Sequence, residues 1–104
     1  MSGDSPQFQT DLIRRLHCAE GHLHGIAMMI ERGADCESVV HQTLAVQGAL
    51  REINRLILRQ HLDVCLREHL HEADDAAREK CLAEVVSLYQ LLGAPAPPTR
   101  KERV

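Results

Sequence analysis

Residues 36–70 read CESVVHQTLAVQGALREINRLILRQHLDVCLREHL and give the clearest indication of the fold class. No proline interrupts it, and its apolar residues recur at helical spacing at Val39, Val40, Leu44, Val46, Leu50, Ile53, Ile57 and Val64. Asp35 stands just before it, where a carboxylate can cap the first turn of a helix. The stretch therefore predicts one unusually long helix that reaches at least Leu66.

A shorter helix is predicted before this long one, from about Phe8 to Arg32. Its apolar residues step by four and three, which is typical of a helix packed on another helix: Leu12, Leu16, Ala19, Leu23, Ile26 and Ile30. Ser5-Pro6 can supply a cap and a first-turn proline, and Gly33 can supply the left-handed residue that ends the helix.

A third helix is predicted after the long one. Asp74 or Asp75 can cap it, and Gly93 and Pro95 can close it. We therefore expect a flexible N-terminus over residues 1–7, one helical domain over residues 8–93 and a disordered tail over residues 94–104.

The composition fits a single all-α domain. The chain has 104 residues, of which 44% are apolar and only 2% aromatic, so its core must consist of aliphatic side chains. The scarcity of aromatic residues excludes a stacking platform for RNA or single-stranded DNA. No apolar run is long enough to span a membrane and the N-terminus lacks a secretory signal, so we expect a cytoplasmic protein without a membrane partner.

Three helices of such unequal length predict self-association. The part of the long helix that overhangs its neighbours would expose an apolar stripe to water. A second copy of the chain can cover that stripe. The net charge of −3 gives no overall attraction to nucleic acid, so any DNA-binding surface must be a local basic patch.

His61, Cys65 and Cys36 are the residues that could bind a metal ion. His61 and Cys65 are four residues apart, so a helix places them on one face about one turn apart. A half-buried histidine beside a core cysteine is an equally good interpretation of that pair alone. The position of Cys36 favours the interpretation as a metal site, because the first turn of a helix stabilises the thiolate that binds metals.

These residues predict a site shared between two chains. Cys36 and His61 are 25 positions apart, which corresponds to about 37 Å along a straight helix. If two long helices pair antiparallel, Cys36 of one chain meets His61 and Cys65 of the other, and two-fold symmetry makes the site twice. The helices would cross near Gly48-Ala49, where small residues permit close approach.

Two thiolates and one imidazole form a soft donor set that suits Cu(I) in trigonal geometry. Zn(II) and Ni(II) usually require a fourth donor. The chain offers several candidates for that fourth ligand, namely His41, His69, Asp4 and Cys81. Cu(I) is therefore the predicted ion, with Zn(II) or Ni(II) as the alternative.

Several segments resemble the copper-sensitive operon repressor family, which also includes nickel/cobalt, formaldehyde and persulfide sensors. The resemblance runs without gaps from about Leu12 to Cys65, and its most specific segments are Glu20-Gly21-His22-Leu23-His24-Gly25-Ile26, Cys36, Ala45-Val46-Gln47, Asn54-Arg55 and His61-Leu62-Asp63-Val64-Cys65. It implies an all-α dimer, an antiparallel four-helix bundle that commonly pairs again into a dimer of dimers. It also implies that the metal-free form binds operator DNA and releases it when metal binds.

Within that family, Cys36, His61 and Cys65 match the positions that bind Cu(I) in the copper branch. Cys81 stands where copper-branch members often have a carboxylate behind the metal ligands, and Asp35 is a second candidate for such a supporting contact. Glu20 and Arg51-Glu52 depart from the family pattern, because they place negative charge on the surface that usually binds DNA.

The candidate DNA-binding residues are the basic residues of the first two helices: Arg14, Arg15, Arg51, Arg55 and Arg59. Arg51, Arg55 and Arg59 recur every four residues and could follow a row of phosphates. The alternative interpretation is a solvated helix face, on which these arginines pair with Glu52 and Asp63.

The predicted function is a Cu(I)-responsive repressor of copper-resistance or efflux genes, with operator DNA and a second copy of the chain, as homodimer or homotetramer, as partners. One alternative is a redox or persulfide sensor that uses Cys36 and Cys65. Another is a metal-binding helical oligomer without DNA binding. No nucleophile oriented by a base is present in the pattern, so we do not expect an enzyme.

Overall fold

A computed structural model describes residues 5–69 and 75–93 of the chain. These residues form three α-helices, namely α1 (Pro6–Glu31), α2 (Cys36–His69) and α3 (Asp75–Leu91), and they contain no β-strand. The prediction of an all-α chain with one long central helix is confirmed. The remaining predictions for residues 1–4, 70–74 and 94–104, including the cap at Asp74 and the C-terminal tail, lie outside the described residues.

α1 begins at Pro6, two residues before the predicted start at Phe8. The Ser5 side chain caps the helix by accepting a hydrogen bond from the Phe8 N–H at 3.1 Å. Proline suits the first helical position because its missing N–H would have no partner there. Residues 6 and 7 are therefore helical, and the boundary predicted for the flexible N-terminus was placed too far along the chain. Gly33 follows the helix with φ 81°, the left-handed conformation expected at that position.

The described residues from Ser5 to Ile57 belong to a first compact unit, in which α1 packs on the first part of α2. Its buried side chains repeat every seven residues, at Leu12, Ala19 and Ile26 on α1 and at Val46 and Ile53 on α2. This spacing is typical of helices that pack side by side. The two helices thus form a hairpin whose core is aliphatic.

Asp35 caps α2 as the sequence predicts. Its carboxylate accepts hydrogen bonds from the Ser38 N–H at 3.0 Å and from the Ser38 hydroxyl at 2.7 Å. These bonds stabilise the ionised form and lower the pKa of Asp35 below its usual 3.8. Cys36 is consequently fixed in the first turn of the helix.

A second unit begins at Leu58 and contains the last part of α2 together with α3. Among its described residues, Cys65 is buried, with 5% of its surface exposed, and is joined by a disulfide to Cys81 of α3. Gly93 adopts φ 68° just beyond the end of α3. Within the described parts of the chain, none of the helices has the length and apolar character needed to cross a membrane.

Candidate metal centre

Three potential metal ligands lie together in the second unit. One ligand atom from each of His61, Cys65 and Cys81 falls within 4.8 Å of the other two. α2 supplies His61 and Cys65 from successive turns of one face, and α3 supplies Cys81. The His61–Cys65 proximity that was predicted from their spacing is therefore present. In the reduced state, the imidazole and the thiolates are donors that fit a soft ion such as Cu(I).

The position of Cys81 differs from the sequence-based prediction. Cys81 was expected to lie behind the ligands or to serve as an optional fourth donor. The structure instead joins it covalently to Cys65, with their Cα atoms 5.8 Å apart. The local sequence of α3 could not reveal this contact, because it depends on how α3 packs against α2 rather than on any helical spacing.

Glu84 is a further residue of this site that the sequence analysis missed. Its Oε2 atom lies 3.2 Å from His61 Nε2, and the two side chains are 50% and 30% exposed, respectively. A carboxylate that accepts a hydrogen bond from Nε2–H orients the imidazole and leaves Nδ1 with the lone pair that a metal requires. The indication in the sequence was faint, since Glu84 lies only three residues beyond Cys81 on α3.

Cys36 lies in the first unit, as the first residue of α2, where it is exposed and carries a free thiol. Its assignment as a metal ligand stays a prediction. Both carboxylate oxygens of the neighbouring Asp35 bind Ser38, so its observed contact is the helix cap. The proposed contact of Asp35 behind the metal also stays a prediction.

The other candidates for a fourth ligand lie in the first unit or outside the described residues. His41 belongs to the first unit, where its Nε2 lies 3.5 Å from Glu37. Asp4 and the side chain of His69 lie outside the described residues. Cys81 is thus the candidate that the described residues place beside the pair, and its sulfur is available as a donor once the bond to Cys65 is reduced.

The basic candidates on α1 share one carboxylate. Asp11 accepts hydrogen bonds from Arg14 at 2.5 Å and from Arg15 at 2.9 Å. These guanidinium groups lower the pKa of Asp11, and the same contact raises the pKa of Arg14. With Glu52 of α2, Arg14 and Arg15 line a groove of about 380 Å³ in the first unit.

The row of arginines on α2, namely Arg51, Arg55 and Arg59, carries positive charge that is partly offset by a neighbouring carboxylate. Arg55 forms two hydrogen bonds to Glu52, at 2.9 and 2.6 Å, which lower the pKa of Glu52. Arg51 and Arg59 are exposed. Arg55 therefore matches the interpretation of a solvated, ion-paired helix face as well as that of a phosphate-binding surface, and DNA binding by these arginines stays a prediction.

The fold and the ligand group place the chain among all-α proteins in which histidine and cysteine side chains could hold a soft metal ion. The family model described as metal-sensitive transcriptional repressor matches residues 9–91. The chain belongs to this family. The resemblance stated from the sequence is confirmed, as is the prediction that the protein is a repressor rather than an enzyme.

The chain is similar to copper-sensing repressors. It is 35% identical over 83 residues to the copper-sensing transcriptional repressor CsoR of Mycobacterium ulcerans (strain Agy99), covering 80% of this chain and 71% of the relative. It is 37% identical over 86 residues to the copper-sensing transcriptional repressor RicR of Mycobacterium tuberculosis (strain ATCC 25618 / H37Rv), covering 83% of this chain and 90% of the relative. Among solved structures, the nickel-responsive transcriptional regulator InrS superposes with a TM-score of 0.73 at 33% identity, over 88% of this chain and 97% of that one.

Proposed function

We propose that this protein represses transcription by binding operator DNA in its metal-free form, and that Cu(I) releases it and so derepresses copper-resistance or efflux genes. The observation that carries the proposal is the approach of His61 to Cys65 in a chain whose relatives are named as copper-sensing repressors. A cytoplasmic location is consistent with this role and stays a prediction.

The proposed ligands are Cys36 of one chain and His61 and Cys65 of a second chain. Their separation along α2 supports this division, since about 1.5 Å of rise per residue keeps Cys36 far from His61 within one continuous helix. Exposed Cys36 is accessible to a partner. Bound Cu(I) would supply a cation that prefers these sulfur and nitrogen donors and ties the two chains together.

Exposed apolar side chains support the pairing of chains that such a site requires. On α1, the exposed residues Leu16, Leu23 and Ile30 repeat every seven positions. On α2, Val40 and Leu44 are also more than half exposed. A second copy would remove such side chains from water, which stabilises an oligomer by roughly 25 cal/mol for each Å² of apolar surface buried. We propose a homodimer that can pair again into a homotetramer.

Arg14, Arg15, Arg51, Arg55 and Arg59 are the proposed contacts to operator phosphates. Arg14 and Arg15 lie side by side on α1 and share Asp11, so this carboxylate positions both groups while offsetting part of their charge. Glu52 does the same to Arg55. Phosphate contacts replace such intramolecular ion pairs at little cost when the pairs are exposed to solvent.

Mixed chains test the shared site. Cys36→Ala chains are mixed with His61→Ala/Cys65→Ala chains, and each variant is first shown to be folded and to exchange subunits. A heterodimer then keeps all three ligands at one end and none at the other, so Cu(I) binding should return to one site per heterodimer. Mixed chains that bind no more Cu(I) than the separate variants would contradict the assignment.

Zn(II) or Ni(II) is a second candidate ion, favoured by Cys81 beside the His61–Cys65 pair and by the likeness to a nickel-responsive regulator. X-ray absorption of the anaerobic complex distinguishes the cases. Two sulfur donors and one nitrogen donor support the Cu(I) site proposed above. A four-donor site that includes a third sulfur, with Zn(II) or Ni(II) as the ion that releases DNA, would replace it.

A further inference from the structure

The bond between Cys65 and Cys81 connects a proposed metal ligand to a cysteine that the proposed site does not use. Both cysteines belong to one chain and to one compact unit, and their Cα atoms are 5.8 Å apart. Disulfides in proteins usually have Cα separations of roughly 4.4–6.8 Å. The backbones of α2 and α3 are thus placed at a separation that suits the bond.

We propose that Cys65 and Cys81 are a modification site for peroxides, and that their disulfide closes the metal site by withdrawing Cys65 from the ligands. The second half of this proposal rests on the proposed function, because it takes Cys65 to be a ligand. The protein would then respond to two chemical inputs, a soft metal ion and a two-electron oxidant, through the same sulfur atom.

The exposure of the two cysteines gives the order of the reaction. Cys81 is half-buried whereas Cys65 is 5% exposed, so Cys81 is the sulfur that a peroxide reaches first. The Cys81 thiolate attacks one oxygen of hydrogen peroxide, the O–O bond breaks, and hydroxide leaves and takes up a proton to become water. Cys81 is thereby oxidised to the sulfenic acid.

Cys65 completes the reaction. Its thiolate attacks the Cys81 sulfur, the S–O bond breaks, and hydroxide leaves and becomes a second water on protonation. One peroxide is reduced to two waters, while two thiols are oxidised to one disulfide. A dithiol reductant reverses the change by thiol–disulfide exchange.

Metal binding and the disulfide exclude each other. A soft metal ion requires the Cys65 thiolate, whereas a disulfide sulfur carries no charge and is a poor ligand. His61 remains beside the pair, because its ligand atom lies within 4.8 Å of both sulfurs. An oxidised chain therefore keeps one of the ligands on α2 and loses the other.

The position of the bond distinguishes this site from a link between chains. Cys18 and Cys36 are exposed free thiols. Oxidation that joined Cys36 of one chain to Cys65 of another would give a covalent dimer. The Cys65–Cys81 bond leaves each chain covalently separate, so the two products differ on a non-reducing gel.

Peptide mapping tests the modification site without any metal. The reduced full-length protein is treated with one equivalent of hydrogen peroxide, the residual peroxide is removed, free thiols are alkylated and trypsin is added. Trypsin places Cys65 in the peptide 60–67 and Cys81 in the peptide 81–100. We expect these two peptides to be linked and two hydrogens lighter than their sum, and the undigested protein to migrate as a single chain.

The link should also abolish Cu(I) binding. After peroxide is removed, anaerobic Cu(I) capacity should fall in proportion to the linked fraction and should return after dithiothreitol treatment. Compared with its own reduced form, Cys81→Ser should keep a larger fraction of its Cu(I) capacity after the same dose than the wild-type protein keeps. Cys18→Ser, which alters a cysteine outside the pair, should behave like the wild-type protein.

Absence of the linked peptide, or its replacement by covalent dimers, overturns the modification site. An equal loss of Cu(I) capacity in Cys81→Ser and wild type overturns the closing of the metal site. If the reduced protein binds no Cu(I), the proposed function fails, and so does the proposal that the disulfide closes the metal site. The linked peptide still shows by itself whether Cys65 and Cys81 are a modification site.

Discussion

At the scale of single residues, Glu84 is the side chain that links the candidate metal ligand His61 to α3. A carboxylate that fixes the orientation of a ligating imidazole raises metal affinity, since the ring no longer has to be ordered when the ion binds. We predict that Glu84→Gln lowers Cu(I) affinity by about 10- to 100-fold. The measurement is an anaerobic competition titration against a Cu(I) chelator of known affinity.

Glu79→Gln is the matched control, because Glu79 is exposed on the same helix and the substitution makes the same change of charge. The control should bind Cu(I) like the wild-type protein. Equal affinities for Glu84→Gln and wild type would show that the 3.2 Å contact to His61 does not contribute to metal binding.

The sequence predicted part of the site because part of it is local. Four-residue spacing places His61 and Cys65 on one helix face in whatever context the helix occurs. Cys81 and Glu84 reach them from another helix, so their positions depend on the packing of α3 against the last part of α2. Cys81 could therefore be singled out from the sequence without its bond, and Glu84 could not.

At the scale of elements, the helix ends were the most predictable features. Ser5 with Pro6, Asp35, Gly33 and Gly93 have capping roles that follow from short-range chemistry. The predicted start of α1 was two residues late because its first turn carries few apolar residues. The apolar periodicity therefore begins only at Phe8. The hydrogen bond from the Phe8 N–H to Ser5 fixes the true start.

The cap at Asp35 should make stability depend on pH. Its pKa is lowered in the folded chain, first by the Ser38 hydroxyl and then by the Ser38 N–H. A lowered folded-state pKa gives stabilisation that is fully present above the unfolded value and is lost as pH falls through the folded value. We predict that Asp35→Ala lowers the Tm at pH 7, and that the difference from wild type shrinks below pH 3.8.

Thermal unfolding followed by circular dichroism over a series of pH values checks this prediction. Asp35→Asn is the control, because it keeps an oxygen acceptor for Ser38 but cannot titrate. Its Tm difference from Asp35→Ala should not shrink in the same pH range. An Asp35→Ala deficit of constant size at every pH would mean that ionisation of the carboxyl group adds nothing to the cap.

At the scale of the whole molecule, the exposed apolar residues and the arginines determine what the chain can bind. Their positions on the helices could be predicted from periodicity, as with Leu16 and Leu23 on α1. Their partners could not, because pairing depends on the complementarity of two complete surfaces. The ion pair between Arg55 and Glu52 was one of two interpretations that the sequence allowed, and the side-chain positions show that it forms.

Reciprocal binding of Cu(I) and operator DNA is the most direct test of the account. Cu(I) affinity is measured anaerobically with and without saturating operator from upstream of the protein's own gene, and operator affinity is measured with and without Cu(I). We predict that the metal-free protein prefers the operator to random duplex and that each ligand weakens the other by the same factor, roughly 5- to 150-fold. His61→Ala should retain operator binding and lose its response to Cu(I). Tight Cu(I) binding that leaves operator affinity unchanged, or no preference for the operator by the metal-free protein, would contradict the account.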